Sequence, residues 1–272
     1  MTTSAFLSDL ARRPTRGAAD VARCEWTKLR TVRSTWWSLL IVLAGMIAIG
    51  LFICAAMVAR WDQLPEAVRV KFDPTSRSLN GLFVAQLATG VLGVLAITSE
   101  YATGTIRATL AAVPRRRTVL AAKAAVLAVP VFVVSTVACA AAFLAGQAVL
   151  AAKDIGVSIA GPGELRAVIG AGLYLTVMAL LGLGLGAALR HTAGAISGFT
   201  GLVLILPLLV SPLPSPWGRD IAEYLPANAG QAILNVHPTL GFLAPWTGFA
   251  VLCAWALAAL ATATWLINRR DA

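Results

Sequence analysis

The chain has 272 residues, of which 58% are hydrophobic and only 12% charged, and it carries a formal net charge of +10. Its mean hydropathy is +0.80. A soluble domain of this size carries about 25% charged residues, and here the apolar excess is gathered into six blocks at or near the length of about 20 residues that crosses a bilayer, which excludes a set of ordinary buried core helices.

In chain order, residues 1–17 form a polar tail containing Arg12, Arg13 and Arg16 and are expected to be mobile. Residues 20–34, DVARCEWTKLRTVRS, hold no Gly or Pro and read as a helix. A 3.6-residue period puts Val21, Glu25, Leu29 and Val32 on one face, with Arg23, Trp26, Arg30, Arg33 and Trp37 on or near the other. A basic and aromatic face beside a first membrane crossing suits an interfacial helix. Glu25 interrupts the apolar stripe; it either pairs locally with Lys28 or Arg30 or faces a partner protein. The first span is 36–59, without a charge, followed by a charge-balanced loop at 60–80 and a second span at 81–98.

The stretch after the second span turns basic before the chain becomes apolar again. Glu100 and Tyr101 mark the interface, and Gly104 breaks the helix. TIRATLAAV then places Ile106, Leu110 and Val113 on one face of a short helix, which Thr105 can cap and Pro114 ends. Arg115, Arg116 and Arg117 belong at the headgroups, Thr118 can cap the next helix, and Lys123 is expected to snorkel back to the interface. On periodicity alone this is a solvated basic loop with an incidental amphipathic turn.

The remaining spans are 124–146, 167–189, 193–210 and 245–267. The link RHT, Arg190 to Thr192, admits only a tight helical hairpin between spans four and five. The GxxxG pairs Gly182 with Gly186 and Gly194 with Gly198 are expected to pack those two spans closely, and Pro130 and Pro207 to kink spans three and five. The long link 211–244 is rich in proline yet contains IAEYLPANAGQAIL, expected to form short helices that dip back into the outer leaflet. The fold class is therefore an all-α membrane protein. It has six transmembrane helices, cytoplasmic N- and C-termini, an N-terminal interfacial helix and a short cytoplasmic helix, with residues 18–272 as a single membrane domain. In this orientation the whole net charge of +10 falls on the inner side. That asymmetry fits membrane topology and anionic lipid headgroups better than a nucleic-acid partner. A basic segment precedes a first apolar run too long for a cleaved signal, so no signal peptide is expected.

Chemistry-bearing patterns are few. None of the four lysines completes the Gly-Lys-Ser/Thr end of a P-loop, so the chain is not expected to be an enzyme that hydrolyses ATP itself. Cys24, Cys54, Cys139 and Cys253 form no CxxC pair and read as small packing residues. His191 and His237 fall on opposite sides in this topology, so no metal site is expected. GLGLG lies inside the fourth span with no strand before it and is not a dinucleotide turn. The spans lack ionisable residues in their middles, which disfavours a proton-coupled carrier and, more strongly, an intramembrane protease.

Three stretches carry a resemblance. SEYATGTIRATLAAVPRRRTVLAAK (Ser99 to Lys123) resembles the first cytoplasmic loop of ABC-2 type transporter permeases. CEWTKLRTVRSTWW (Cys24 to Trp37) resembles the segment leading into their first span, especially in actinobacteria, and LPANAGQAI (Leu225 to Ile233) resembles the segment before their last. The resemblance implies a multi-pass protein of the bacterial plasma membrane, acting as a dimer with a second permease half, either a copy of itself or a related permease. It implies no cofactor in this chain; a cytoplasmic ABC ATPase subunit would bind ATP and Mg. It also implies that Glu100, Gly104, Thr105, Ile106, Arg107, Leu110, Val113 and Pro114 form the ATPase-coupling element, and that Arg23, Glu25, Trp26, Lys28, Arg30 and Arg33 belong to the interfacial helix. The implied function is ATP-driven export. The alternative is a self-contained carrier or membrane scaffold that needs no ATPase.

Overall fold

A computed structural model describes residues 18–112, 116–210, 212, 217–236 and 243–269. The predicted tail 1–17 and the residues Val113, Pro114, Arg115 and His237 lie outside this set. Among the described residues the chain is helical, with no strand. Helix α1, Ala18–Thr31, is followed by Val32 in extended conformation and then by α2, Arg33–Arg60. A 3₁₀ turn at Trp61–Gln63 leads to two short helices, α3 (Glu66–Val70) and α4 (Pro74–Ser78). Asp73 caps α4 by accepting from the Thr75 amide at 3.0 Å, and Pro74 occupies the first helical position, where its missing N–H costs nothing. Next come α5 (Leu82–Thr103), α6 (Thr105–Ala112), α7 (Arg116–Leu150) and α8 (Glu164–Leu189).

The fifth span is composite: α9 (Thr192–Thr200), a π-helical turn (Gly201–Ile205) and α10 (Leu206–Val210). Pro207 has no N–H to offer the Val203 carbonyl and its ring crowds that oxygen, so a widened turn just before it is the expected accommodation. Pro130 lies inside α7, which stays helical across it. The chain continues through α11 (Trp217–Glu223), α12 (Pro226–Gln231), a 3₁₀ turn at Ala232–Leu234 and α13 (Pro245–Arg269). Among the described residues six helical stretches are long and apolar enough to cross a membrane, matching the six predicted spans in place and order. The third extends beyond its predicted 124–146 at both ends.

The bundle is built around α8. Of its most apolar window 78% is buried, against 22% for the fifth and sixth spans. Outer helices carry their large apolar side chains outward, with Trp37, Phe52 and Leu208 more than half exposed, as lipid-facing positions should. Close packing of α5 on α8 comes from small residues on both. A Cβ on Gly93 would stand 1.9 Å from the Ala179 carbonyl oxygen, and one on Gly182 would stand 2.2 Å from the Gly90 oxygen, so only glycine lets the two backbones meet. In the same contact Tyr174, fully buried, donates its hydroxyl to Gln86 Oε1, so two polar side chains satisfy one another inside the bundle.

This corrects the expected partner of the glycine pairs. Gly182 and Gly186 seat span four on span two, whereas a Cβ on Gly198 would meet nothing nearer than Leu189 at 3.6 Å. The reason lies in α9, whose inward residues are Ala195 and Phe199. The Phe199 ring fills the space beside Gly90 of α5, and Gly194 and Gly198 lie on the exposed face. The tight hairpin itself is present. Arg190 adopts a left-handed conformation (φ 56°) and His191 caps α9 by accepting from the Gly194 amide at 3.0 Å.

Residues 225–233, which carry the third resemblance, are the packed part of the long link. Ala229 lies against Gly248 of α13, Gly230 against Tyr174 and Leu252, and Ile233 against Gly170 of α8. Short helices thus wedge between the fourth and sixth spans at the end of the bundle opposite α1.

Overpacking a full contact costs about 1–3 kcal/mol. Gly93→Ala should therefore lower the melting temperature of the detergent-solubilised protein by several degrees, while Gly198→Ala leaves it unchanged; circular dichroism melts check both.

Candidate functional site

The helix α1 has one inward face, as its periodicity predicts. Val21 and Glu25 are buried, Leu29 is half-buried, and Arg23, Trp26 and Arg30 are exposed; Val32, predicted on the inward face, instead lies past the helix end in extended conformation and is exposed, and Arg33, predicted in the same helix, opens α2 and is exposed. Arg23 makes a loose surface pair with Asp20 at 3.8 Å. The inward face lies on the start of α7, where Val21 packs with Val119 and Ala122. Within that packing Glu25 is only 2% exposed.

Its charge is met inside the protein. Glu25 Oε1 accepts from Lys28 Nζ at 2.8 Å, one turn along α1, and Oε2 accepts from Lys123 of α7. Both lysines also reach Glu100, in the last turn of α5: its Oε1 accepts from Lys28 at 2.9 Å and from Lys123 at 3.0 Å. Two carboxylates and two ammonium groups close into a ring of zero net charge. Lys28 uses its third donor on Thr109 Oγ1 of α6 at 3.3 Å, so all three of its N–H groups are engaged. The ring therefore ties α1, α5, α6 and α7 together.

The ring sets the ionisation of its members. Burial pushes the Glu25 carboxyl up, but the positive charges and hydrogen bonds of Lys123 and Lys28 outweigh it and hold the group below its ordinary 4.5. Burial likewise works against the Lys28 ammonium, yet hydrogen bonds to Glu100 and Glu25 raise it from 10.5 to about 12. Glu25 and Lys28 are thus charged at neutral pH. Glu100 Oε2 is the exception to the full pairing: it is buried and accepts no hydrogen bond.

Lys123 was expected to snorkel to the headgroups; instead it is 3% exposed. Snorkelling is how a lysine escapes low dielectric when no anion is near. Here carboxylates 98 and 23 residues away in sequence make escape unnecessary. For Glu25, the local pair with Lys28 is present, and the longer-range partners Lys123 and, through Lys28, Glu100 are what the sequence reading missed. The available signal was an acid breaking an apolar stripe together with an acid and a base flanking one loop.

The joint between α5 and α6 is Gly104, whose φ of 72° is left-handed and whose N–H closes on the Tyr101 carbonyl. Thr105, expected to cap α6, turns its hydroxyl back toward Thr103 Oγ1 at 3.0 Å and the Glu100 carbonyl at 3.5 Å. Ile106 is 6% exposed and packs in a core cluster with Ile97, Leu120 and Ile267, so its side chain belongs to the interior of this chain. Exposed along α6 are Thr105 and Arg107, next to the exposed Gly104. The side chain of Leu110, with Val113 and Pro114, lies outside the described residues. Two further contacts brace the same end of the bundle. The Arg190 guanidinium sits 5.3 Å over the Tyr101 ring, and Arg116 donates to the Ile267 carbonyl, joining α7 to α13. Among the described residues no group of His, Cys, Asp and Glu is placed to hold a metal ion.

A family model described as ABC-2 family transporter protein matches residues 21–209. The chain belongs to the ABC-2 transporter family. The match opens at the inward face of α1, includes every member of the ion ring, and runs to the end of the fifth span. The six helices among the described residues that are long and apolar enough to cross a membrane accord with a multi-pass protein. No curated protein matches the sequence.

Removing one partner from a buried ion pair costs about 3–5 kcal/mol, because the other charge is left without a partner. Lys123→Met should destabilise the ABC-2 protein by that order. Adding Glu25→Gln should cost less than the two single losses combined, a coupling readable from thermal melts. The pH response has two edges. The Glu25 contribution is present above 4.5 and lost as pH falls through its lowered value. The Lys28 contribution is present below 10.5 and lost as pH rises through about 12. A melting profile against pH in detergent should fall at both edges.

Proposed function

We propose that this chain is the membrane-spanning permease subunit of an ATP-driven ABC exporter. It would work as one of two halves, with a separate cytoplasmic ABC ATPase binding the ATP and Mg. The observation that carries the reading is the ion ring with its Lys28–Thr109 arm. A force applied to α6 meets a stiff junction with spans two and three and with α1, and so has a path into the bundle instead of being absorbed by a loose loop.

In this reading α6 is the coupling helix, both termini lie in the cytoplasm, and the membrane is the bacterial plasma membrane. ATP binding closes the ATPase dimer, α6 follows its docking groove, and the rigid spans carry the shift across the bilayer. Inward- and outward-facing states must then differ in affinity for the nucleotide-bound ATPase, since only differential affinity moves the equilibrium. With Ile106 turned inward, the surface offered to the ATPase is Gly104, Thr105 and Arg107. Export and not uptake follows from the family's permeases; the cargo is the subject of vesicle transport assays with the reconstituted pair.

Co-purification tests the reading. Tagged wild-type protein should bring down a P-loop ATPase, and Arg107→Glu should lose it at least several-fold while the melting temperature stays unchanged. Full function in cells lacking any such ATPase would establish a self-contained carrier or scaffold instead.

A further inference from the structure

Where α1 ends and the chain turns into α2, both helices stand against α7 and leave a groove of about 250 Å³. Its apolar part is made by Leu39 of α2 and by Val129, Pro130 and Val133 of α7. These residues lie within the first and third spans. Trp26 and Arg30 of α1 and Trp36 at the start of α2 complete the lining. They stand where α1 gives way to the first span, the level at which aromatic and basic side chains meet lipid headgroups.

Arg30 is the one charged side chain that lines the groove. It is exposed, and among the described residues its guanidinium makes no hydrogen bond or ion pair. Its backbone is held in place: the Trp36 indole N–H donates to the Arg30 carbonyl at 3.0 Å. The Trp26 indole N–H makes no hydrogen bond among the described residues, so the groove offers a second donor beside the guanidinium. Past the groove the apolar surface continues. Val129, Val133 and Val137 are each more than half exposed. Their spacing of four residues aligns them along one side of α7 over about 12 Å. The features form a sequence from the interface inward: an unpaired planar cation, an indole donor, then a track of apolar side chains.

We propose that this groove binds an anionic phospholipid of the bilayer, the Arg30 guanidinium taking the phosphate and one acyl chain lying along Leu39, Val129 and Val133. A guanidinium presents a rigid fork of donors that matches two phosphate oxygens at once. No acidic side chain lines the groove to neutralise it, so the charge calls for a net anion. A zwitterionic phospholipid has the same phosphate and the same tails but carries its own cation, and it leaves the positive charge of the site unbalanced. The assignment needs only that the first and third spans cross the membrane, and it stands apart from ATPase coupling.

The test uses the full chain in detergent, titrated with phosphatidylglycerol or with phosphatidylcholine of the same acyl chains. Bound lipid is counted by mass spectrometry of the intact protein–lipid complex. Phosphatidylglycerol should bind about fivefold tighter, the effect of one basic side chain on an anionic lipid. Arg30→Gln should reduce it to the level of phosphatidylcholine. Arg23→Gln removes the same charge from the same helix outside the groove and should keep the preference. Val133→Trp fills the apolar track and should weaken both lipids several-fold while the melting temperature stays in place. Equal affinities for the two lipids, a preference that survives Arg30→Gln, or one lost equally in Arg23→Gln would overturn the proposal.

Discussion

The structure depends on one electrostatic constraint: Glu25, Glu100 and Lys123 are buried at the point where four helices meet, and Lys28, with its side chain 34% exposed at the edge, completes their charge. None of the three buried groups would be tolerated there singly, because an uncompensated charge in low dielectric neutralises or forces its element open. Collected into a neutral ring they fix the position of α1 beside α5 and α7, and through Thr109 the position of α6 as well. An apolar contact could supply comparable stability, but not the same specificity. Each carboxylate accepts from two ammonium groups, and a displacement of α1, α5 or α7 breaks two charged hydrogen bonds at once.

A second constraint organises the bundle. In lipid there is little hydrophobic gain in bringing two helices together, so packing must come from contact area and close approach. The backbones of α5 and α8 supply it at Gly90, Gly93 and Gly182, which explains why α8 is the enclosed helix while the first, fifth and sixth spans keep lipid-facing surfaces. The two constraints share α5. Its middle is pinned to α8 by glycine contacts and its last turn to α1, α6 and α7 by charge, so this helix connects the α6 surface to the centre of the bundle.

The sequence by itself determined the elements and their order. Spans are legible because a bilayer demands about 20 apolar residues in a helix that satisfies its own backbone, and the break at Gly104 because only glycine adopts that backbone easily. The inward face of α1 was also legible, since periodicity survives whatever the helix packs against. What only the tertiary structure decided was partnership. A GxxxG pattern announces close approach without naming the neighbour, and the neighbour of Gly182 is span two instead of span five. Lys123 read locally is a snorkelling lysine, and that assignment reversed because Glu25 and Glu100 arrive from other helices. Periodicity put Ile106 on an apolar face of α6, but that this face meets Leu120 and Ile267 was decided by other helices. Periodicity is a property of one helix, whereas charge compensation and core membership are properties of several helices brought together, and no window of sequence contains them.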